Sequence, residues 1–406
     1  MLAFDVAVVG AGPAGLMAAI EAARRGRRTV LLEKNRQPGL KILISGGGRC
    51  NLTTTRSGSD LEQQYGARRG RFLRHALRSF PPSDLCALLE GAGVPLREED
   101  LEKIFPVSQQ ARDIRDALVR LAVQAGAELR TGAALRSLRR TGQHFELGTD
   151  AGPVAATSVI LATGGLSYPK TGATGDGYPL CRQFGHEVTP TFPALAPLAL
   201  DLPWLRALQG IVLTHVPLAV LDAEGRELRR RLRPILFTHR GLSGPGPMDL
   251  AGDVEELAGA AQVRFDFAPE LPADELERNW LAFGKLHGSR RSEALLPAHL
   301  PERLREALVG LAGANGTVAT LERAARKQLL EVTKNLRLPV ARSLGYDHAE
   351  VTRGGVALDE VDPRTMASRR QDGLFLCGEL LDVDGPIGGF NFQAAFATGR
   401  LAGLSA

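Results

Sequence analysis

Val6-Ala7-Val8-Val9-Gly10-Ala11-Gly12-Pro13-Ala14-Gly15 carries a hydrophobic strand straight into a glycine-rich turn. An amphipathic helix is predicted over 13–25, and a second strand over 28–33 ends at Glu33. This is the opening of a βαβ unit that holds a dinucleotide. Gly10 permits the tight turn, Gly12 lets the backbone approach a pyrophosphate, and Gly15 lets the helix lie close on its strand. The helix N-terminus adds free N–H groups and the positive end of a dipole. Glu33, 18 residues after Gly15, is spaced to accept hydrogen bonds from an adenosine ribose. A glycine turn alone is common; the strand before it, the helix after it and the terminal acid together decide the fold.

The other end of the chain selects among dinucleotides. Asp372-Gly-Leu-Phe-Leu-Cys-Gly-Glu379 reads as a short buried strand broken at Gly378, and Gly385 to Arg400 reads as a glycine-rich turn entering a helix. A nicotinamide cofactor needs the first βαβ unit alone. A flavin must also have its isoalloxazine held, and a second helix end aimed at N1 and the C2 carbonyl would stabilise the charge that reduction places there. Two helix ends from opposite chain termini therefore favour FAD. Between them, Gly39-Leu-Lys-Ile-Leu-Ile-Ser-Gly-Gly-Gly-Arg-Cys-Asn51 offers a loop whose glycines can form a backbone nest, with Lys41 and Arg49 as charge partners and Ser45 and Asn51 as donors.

These stretches carry a resemblance. GAGPAG at 10–15, KILISGGGRCN at 41–51, ATGG at 162–165, LFTHRGLSGP at 236–245, TRGGV at 352–356 and GELLDVDGPIGGFNFQAA at 378–395 are similar to the YhiN-like, aminoacetone-oxidase-type family of FAD-dependent oxidoreductases, along essentially the whole chain. The resemblance implies an α/β fold: a Rossmann-like FAD-binding domain of the two-dinucleotide-binding-domain type, interrupted by an inserted β-barrel-like domain with a helical subdomain. It places the FAD-binding domain at 1–190 and 346–406, the inserted β domain at 191–272 and 337–345, and the helical subdomain at 273–336. The FAD contacts it implies are Gly10, Gly12, Pro13, Ala14, Gly15, Glu33, Lys34, Lys41, Ser45, Gly46, Gly48, Arg49, Cys50, Asn51, Leu135, Thr163, Gly164, Gly165, Gly378, Glu379, Asp382, Gly388, Gly389, Phe390 and Asn391. Leu135 is expected to face the adenine.

The texture of the sequence agrees with an interrupted domain. Strands are predicted near 5–10, 28–33, 128–131, 134–139, 143–148 and 159–163, and helices at 13–25, 71–78, 82–92 and 110–125, with 134–148 a hairpin over the sheet. After Pro190 the prolines Pro193, Pro197, Pro203 and Pro217 accompany β-type segments through Phe237, and from 273 to 337 the pattern is helical, with starts marked by Pro272, Pro301 and Thr317. At 406 residues with 44 % hydrophobic side chains, more than one core can be buried. No run approaches a membrane span, and Met-Leu-Ala-Phe passes at once into a core strand, so the expected location is cytoplasmic.

Cys50, Cys86, Cys181 and Cys377 show no CxxC and no paired histidines, which argues against zinc, a disulfide framework or a redox-active dithiol beside the flavin, and no metal is expected. Cys50, in the glycine loop, is either a buried small hydrophobe or a proton donor. The net charge is +5, and 43 of the 50 basic residues are arginine. Arg68, Arg69, Arg71, Arg74 and Arg78 form one cluster, and Arg226, Arg229, Arg230, Arg231 and Arg233 another; each is a solvated face or a polyanion contact.

Candidate catalytic groups are His239 and Arg240 in Phe237-Thr-His-Arg-Gly-Leu-Ser-Gly-Pro245, together with Tyr168 and Cys50; Lys170 is considered beside Tyr168. His239 is a proton donor or substrate ligand, and Arg240 an anion or carbonyl ligand. With no second GxGxxG after a strand, NADH or NADPH is expected to bind transiently as electron donor, or oxygen takes its place. Three activities follow. Reduced flavin adds hydride to an activated C=C bond, and the resemblance, some of whose members make dihydrouridine in large-subunit ribosomal RNA, sharpens this to uridine. Alternatively, oxidised flavin takes hydride from a small amine such as aminoacetone and oxygen yields peroxide. The third is a non-enzymatic FAD-bound scaffold or redox sensor. Partners are thus a small molecule or ribosomal RNA.

Overall fold

Strand β1 (Phe4–Val9) has Val6, Ala7 and Val8 with no exposed surface, as a strand covered on both faces requires. The computed structural model describes residues 4–406. They divide into two units: residues 4–192 with Glu350–Ala406, and Pro193–Ala349.

In the first unit β1 leads through α1 (Pro13–Arg24) to β2 (Thr29–Glu33), which pairs with it in parallel at Val6↔Thr29. After α2 (Leu40–Gly48), α3 (Gly66–Ser79) and α4 (Ala111–Gln124) come β3 (Glu128–Thr131), β4 (Leu135–Thr141), β5 (His144–Thr149) and β6 (Gly152–Leu161), with β7 (Leu374–Leu376) and α5 (Phe390–Ser405) arriving from after the insertion. The sheet order is β3-β2-β1-β6-β5-β4, with β7 also on β6.

The 134–148 hairpin does not lie over the sheet but extends it in plane. β6 is ten residues long, and one of its edges is shared: β5 pairs antiparallel along 152–156, while β7 pairs parallel along 159–161. The first half of that edge would otherwise stand unpaired, and β5 satisfies its backbone groups. The glycine segment after β2 is also more ordered than a loop. Leu40 to Ile44 forms a helical turn anchored by the buried Ile42, and the helix breaks at Ser45 (ψ 148°) and at Gly46 and Gly47, whose φ values of 55° and 70° are left-handed. Short antiparallel strands at Thr53–Thr54, Leu96–Glu99 and Lys103–Pro106 are too brief to leave a period-two signal.

Helices α1 and α5 touch along most of their lengths. A Cβ on Gly399 would lie 2.2 Å from the Ala14 carbonyl oxygen, and one on Gly403 2.3 Å from that of Ala18. The four-residue spacing on both helices puts all four small residues on one seam.

The second unit carries a five-stranded and a four-stranded antiparallel sheet. Their apolar faces share one core with helices Ala273–His287, Glu302–Leu311 and Arg323–Asn335.

Gly399→Ala gains helix propensity, yet is expected to lower stability by about 1–3 kcal/mol because the methyl has no room. Gly310→Ala, in a helix where an added Cβ meets nothing within 4 Å, is expected to be neutral or stabilising by up to ~1 kcal/mol. Urea denaturation midpoints of the two variants distinguish these outcomes.

Candidate functional site

Where β1 ends, the chain must turn sharply beneath α1. Gly10 does so at φ 99°, with the carbonyl oxygen of Ala162 only 2.6 Å from where a Cβ would be. Gly15 is required by a different contact, since its Cβ would overlap the Gly10 carbonyl at 1.8 Å. Gly12 differs from both: a Cβ there would meet nothing within 4 Å, and the residue lines an open cleft. The missing side chain at Gly12 therefore leaves room for a ligand rather than for protein. Gly12 is also the N-cap of α1 and supplies no side-chain cap, so the amides of Ala14 and Gly15 carry no intrahelical partner.

The cleft lies within the first unit. Glu33 stands at one side, and its carboxylate is already directed: Oε2 accepts from Ala11 N–H at 2.9 Å, and Oε1 accepts from the Asn35 backbone N–H at 2.9 Å and Nδ2 at 2.8 Å. An ionised carboxylate has about four lone-pair directions, which leaves acceptor capacity for ribose hydroxyls. A strap formed by Thr171, Gly172, Ala173 and Asp176 borders the cleft beside Glu33. It is tied down by Asn35 Nδ2 donating to Thr171 O at 3.1 Å and by Lys34 Nζ donating to Thr174 Oγ1 and Asp176 Oδ2, both at 2.6 Å.

On another part of the wall, Lys41 Nζ donates to Glu379 Oε2 at 2.8 Å and to Ser167 Oγ at 2.7 Å, while Glu379 Oε1 accepts from Ser167 Oγ at 2.6 Å and Thr352 N–H at 2.9 Å. Lys41 thus neutralises the carboxylate that the GEL turn brings into the cleft. Asn391, Phe392, Ala394, Ala395 and Thr398 contribute the start of α5. Gly389, its N-cap, adopts φ 86° and gives no side-chain cap. Asn391 holds the preceding turn by accepting from Gly385 N–H and donating to Gly385 O, each at 2.9 Å.

The structure therefore gathers Gly10, Gly12, Pro13, Ala14, Glu33, Lys34, Lys41, Leu135, Thr163, Gly164, Gly378, Glu379 and Asn391 on one cleft. Other predicted contacts stand behind that lining. Arg49 is drawn to Glu99 and Gln109 and lies over the Phe105 ring, so its charge is used within the protein. Asp382 is buried against Arg68 and Arg69. Ser45 donates to Ile42 O. Asn51 bridges Thr53 O and Gly389 N–H. Gly15, Gly46, Gly48, Gly165, Gly388, Gly389 and Phe390 shape turns and packing rather than the surface of the cleft.

Of the catalytic candidates, Cys50 is fully buried and outside the cleft lining, and desolvation pushes its thiol up to about 12. Tyr168 sits at φ 50°, a conformation costly for a non-glycine residue, and burial together with the charge of Glu350 raises its phenol. His239 and Arg240 belong to the second unit, exposed at the tip between strands Ile235–Thr238 and Gly241–Ser243. Asn35 and the strap at 171–176 were missed by sequence reasoning; the glycines at 172 and 175 were their one signal.

Three features test whether a dinucleotide fits. Gly12 keeps a cradle open, two uncapped helix N-termini meet the cleft, and Thr163 Oγ1 is buried without a hydrogen-bond partner among the described residues. All three suit a bound phosphate-containing ligand. Among the described residues no cluster of His, Cys, Asp or Glu could hold a metal ion, and no helix is long and apolar enough to cross a membrane.

Comparison with known proteins gives the same picture. Residues 4–405 match the HI0933-like protein Rossmann domain. The chain is 34 % identical to the ribosomal RNA dihydrouridine synthase of Escherichia coli K12, over 97 % of this chain and 96 % of that protein. It is 31 % identical to a 3-dehydro-bile acid delta(4,6)-reductase of Clostridium scindens, over 99 % and 98 %. Among solved structures, a 3-ketosteroid-delta4-(5alpha)-dehydrogenase from Rhodococcus jostii RHA1 superposes with a TM-score of 0.52 at 16 % identity, covering 99 % of this chain and 96 % of that one, a likeness of fold.

Glu33→Ala removes an acceptor held in place by three donors, and flavin affinity is expected to fall about fivefold to a hundredfold, corresponding to ~1–3 kcal/mol. The ratio of flavin absorbance to protein after gel filtration measures this, and a fully yellow variant would refute the ribose role. Because its thiol stays protonated far above neutrality, Cys50 is expected to resist iodoacetamide in the native protein up to pH 9 and to react after denaturation.

Proposed function

The chain belongs to the HI0933-like Rossmann family and is an FAD-dependent oxidoreductase, and from this premise we propose that it reduces a C=C bond conjugated to a carbonyl, with uridine of large-subunit ribosomal RNA as substrate and NADH or NADPH as transient electron donor. The observation that carries this reading is the joint lining of one cleft by the glycine cradle near one end of the chain and the start of α5 near the other. The names of the relatives supply the reaction class. Making dihydrouridine adds two hydrogens across C5=C6 of a ring whose C4 is a carbonyl, and a delta(4,6)-reductase of a 3-oxo steroid acts on the same kind of conjugated system.

Bound and reduced, FAD supplies hydride from N5. The carbon β to the carbonyl takes the hydride as the π bond breaks, the carbonyl carries the developing negative charge, and a proton delivered to the α carbon completes the addition. In this proposal the residues of the chain bind and orient. The amides of Ala14 and Gly15 would hold the pyrophosphate and Glu33 the ribose, while Lys41 keeps Glu379 neutralised inside the cleft. The positive end of α5 would stabilise the negative charge that reduction places on a flavin. His239 is assigned as the proton donor.

Ribosomal RNA from a deletion strain, digested and analysed by mass spectrometry, is expected to contain a uridine where the parent carries dihydrouridine. A plasmid copy should restore the modification and the His239→Ala copy should restore less than a tenth of it, general acid catalysis being worth about 10²–10⁴ in rate. Unaltered RNA in the deletion strain would overturn the substrate. Peroxide formation from an added amine by the purified protein would redirect the assignment to an oxidase. Full restoration by His239→Ala would remove that residue from the mechanism.

A further inference from the structure

Two arginine clusters stand out in the sequence, and the fold uses them differently. In the second unit Arg226 is paired with Asp222 at 2.7 Å, Arg229 with Asp253 at 3.0 Å, Arg230 with Glu227 at 2.7 Å and Arg233 with Asp249 at 2.6 Å. Asp222, Asp249 and Asp253 are buried, so these guanidinium groups compensate internal charge and leave little positive field for a polyanion. The cluster of the first unit lies on a single helix, α3. Its buried residues are Gly70, Phe72, Leu73, Ala76 and Leu77, whereas Arg68, Arg71, Arg74, His75 and Arg78 are exposed. At about 100° per residue these exposed side chains fall within an arc of about 120° opposite the buried stripe, and at ~1.5 Å per residue the arc runs about 15 Å from Arg68 to Arg78.

Neighbouring acids do not cancel the charge of this arc. Arg69 points away from it, and together with Arg353 it balances the buried Asp382 and Asp384. Beneath the arc lies the buried Glu62, one carboxylate shared by two arginines: Oε2 accepts from Arg74 Nε at 3.0 Å and Oε1 from Arg78 Nε at 2.7 Å. A Cβ on Gly70 would lie 2.2 Å from the Glu62 carbonyl oxygen, so α3 rests directly on that segment. Both contacts use Nε, which leaves the terminal nitrogens outside them, and the two side chains keep 55 % and 59 % of their surface in solvent. Arg68 reaches Asp382, already held by Arg69, only at 3.4 Å, and the exposed Asp359 at 3.9 Å. Arg71, in the middle of the arc, has no hydrogen bond or ion pair among the described residues. Four guanidinium groups therefore share two carboxylates, Glu62 and Asp359.

We propose that the face of α3 carrying Arg68, Arg71, Arg74 and Arg78 binds the phosphate backbone of RNA, which rests on the ribosomal RNA reading above. Like charges three and four residues apart on a helix repel, and a polyanion relieves that repulsion while releasing its own counterions. The face contacts phosphates and not stacked bases, because the nearby rings of Tyr65, Phe72 and Phe80 are all buried. Its first turn also adjoins the cleft. Asp382, against which Arg68 and Arg69 rest, precedes Val383 in the cleft lining, and Tyr65, just before α3, donates its hydroxyl to Phe390 O at 2.7 Å at the start of α5.

The test uses the full-length FAD-loaded protein and a fluorescently labelled oligouridylate, with affinity measured across a salt series. For a single strand, log K is expected to fall with log[salt] by about 0.7 per phosphate neutralised. Arg71→Gln and Arg78→Gln should each weaken binding at low salt and flatten the slope by about 0.7, and the double variant by about 1.4. Arg71→Lys keeps a point charge at the same place and should keep the slope of the unaltered protein. Arg230→Gln removes one charge from the matched cluster, where Glu227 keeps Arg264, and should also leave the slope unchanged. Binding by the unaltered protein with identical slopes in all variants, or equal flattening by Arg230→Gln, would overturn the α3 surface and leave the RNA reading standing. No salt-dependent binding by the unaltered protein would overturn both.

Discussion

The seam between α1 and α5 is the constraint on which the site depends. Gly399 and Gly403 bring one helix so near the other that a single methyl would meet a backbone oxygen of Ala14 or Ala18. Because the helices lie in contact, their N-termini open on the same cleft, and two regions some 375 residues apart in sequence line it together. Dispersion between closely apposed backbones is small per atom pair and large in sum, and about a quarter of it is forfeited when the helices separate by half an ångström. The electrostatics of the cleft is thus a consequence of packing: fixed amide dipoles are useful only where the backbone holds them in place.

The three glycines of the first turn share a motif and have three different physical duties. Gly10 answers to its own φ, Gly15 to a backbone oxygen, and Gly12 to empty space. Glu33 connects the turn to β2 by accepting the Ala11 amide, so the acid read as a ribose ligand is also a brace for the cradle. Pre-organisation of this kind lowers the ordering cost of binding. Lys41 and Glu379 show the same economy, since the cation that could face a phosphate instead neutralises a carboxylate in the cleft wall.

Much of this was legible in the sequence, and what was not has identifiable causes. Gly10, Gly12, Gly15 and Glu33 were readable because a strand, a turn and a helix are local and periodic. Arg49 was legible as a charge in the glycine segment, but not its contacts with Glu99 and Gln109, which lie in and just after strands of four residues that leave no pattern. The ion pair of Asp382 with Arg69, more than three hundred residues away, left no local signal. Asn35 and the 171–176 strap escaped for the same reason: each is unremarkable alone, and their importance lies in hydrogen bonds spanning some 140 positions. The arginine clusters were visible as charge, while their neutralisation by buried aspartates was not.

The interrupted layout of the first unit has a consequence for biosynthesis. β6 is translated before the insertion, whereas β7 and α5, which complete its edge and close the helix seam, follow after it. Throughout synthesis of the intervening unit the nascent cradle has Gly12 and Glu33 in place but no second helix to shut the far wall. The cleft is therefore completed late, and a chain cut short within the insertion would leave the small-residue seam of α1 uncovered and open to chaperones or proteases.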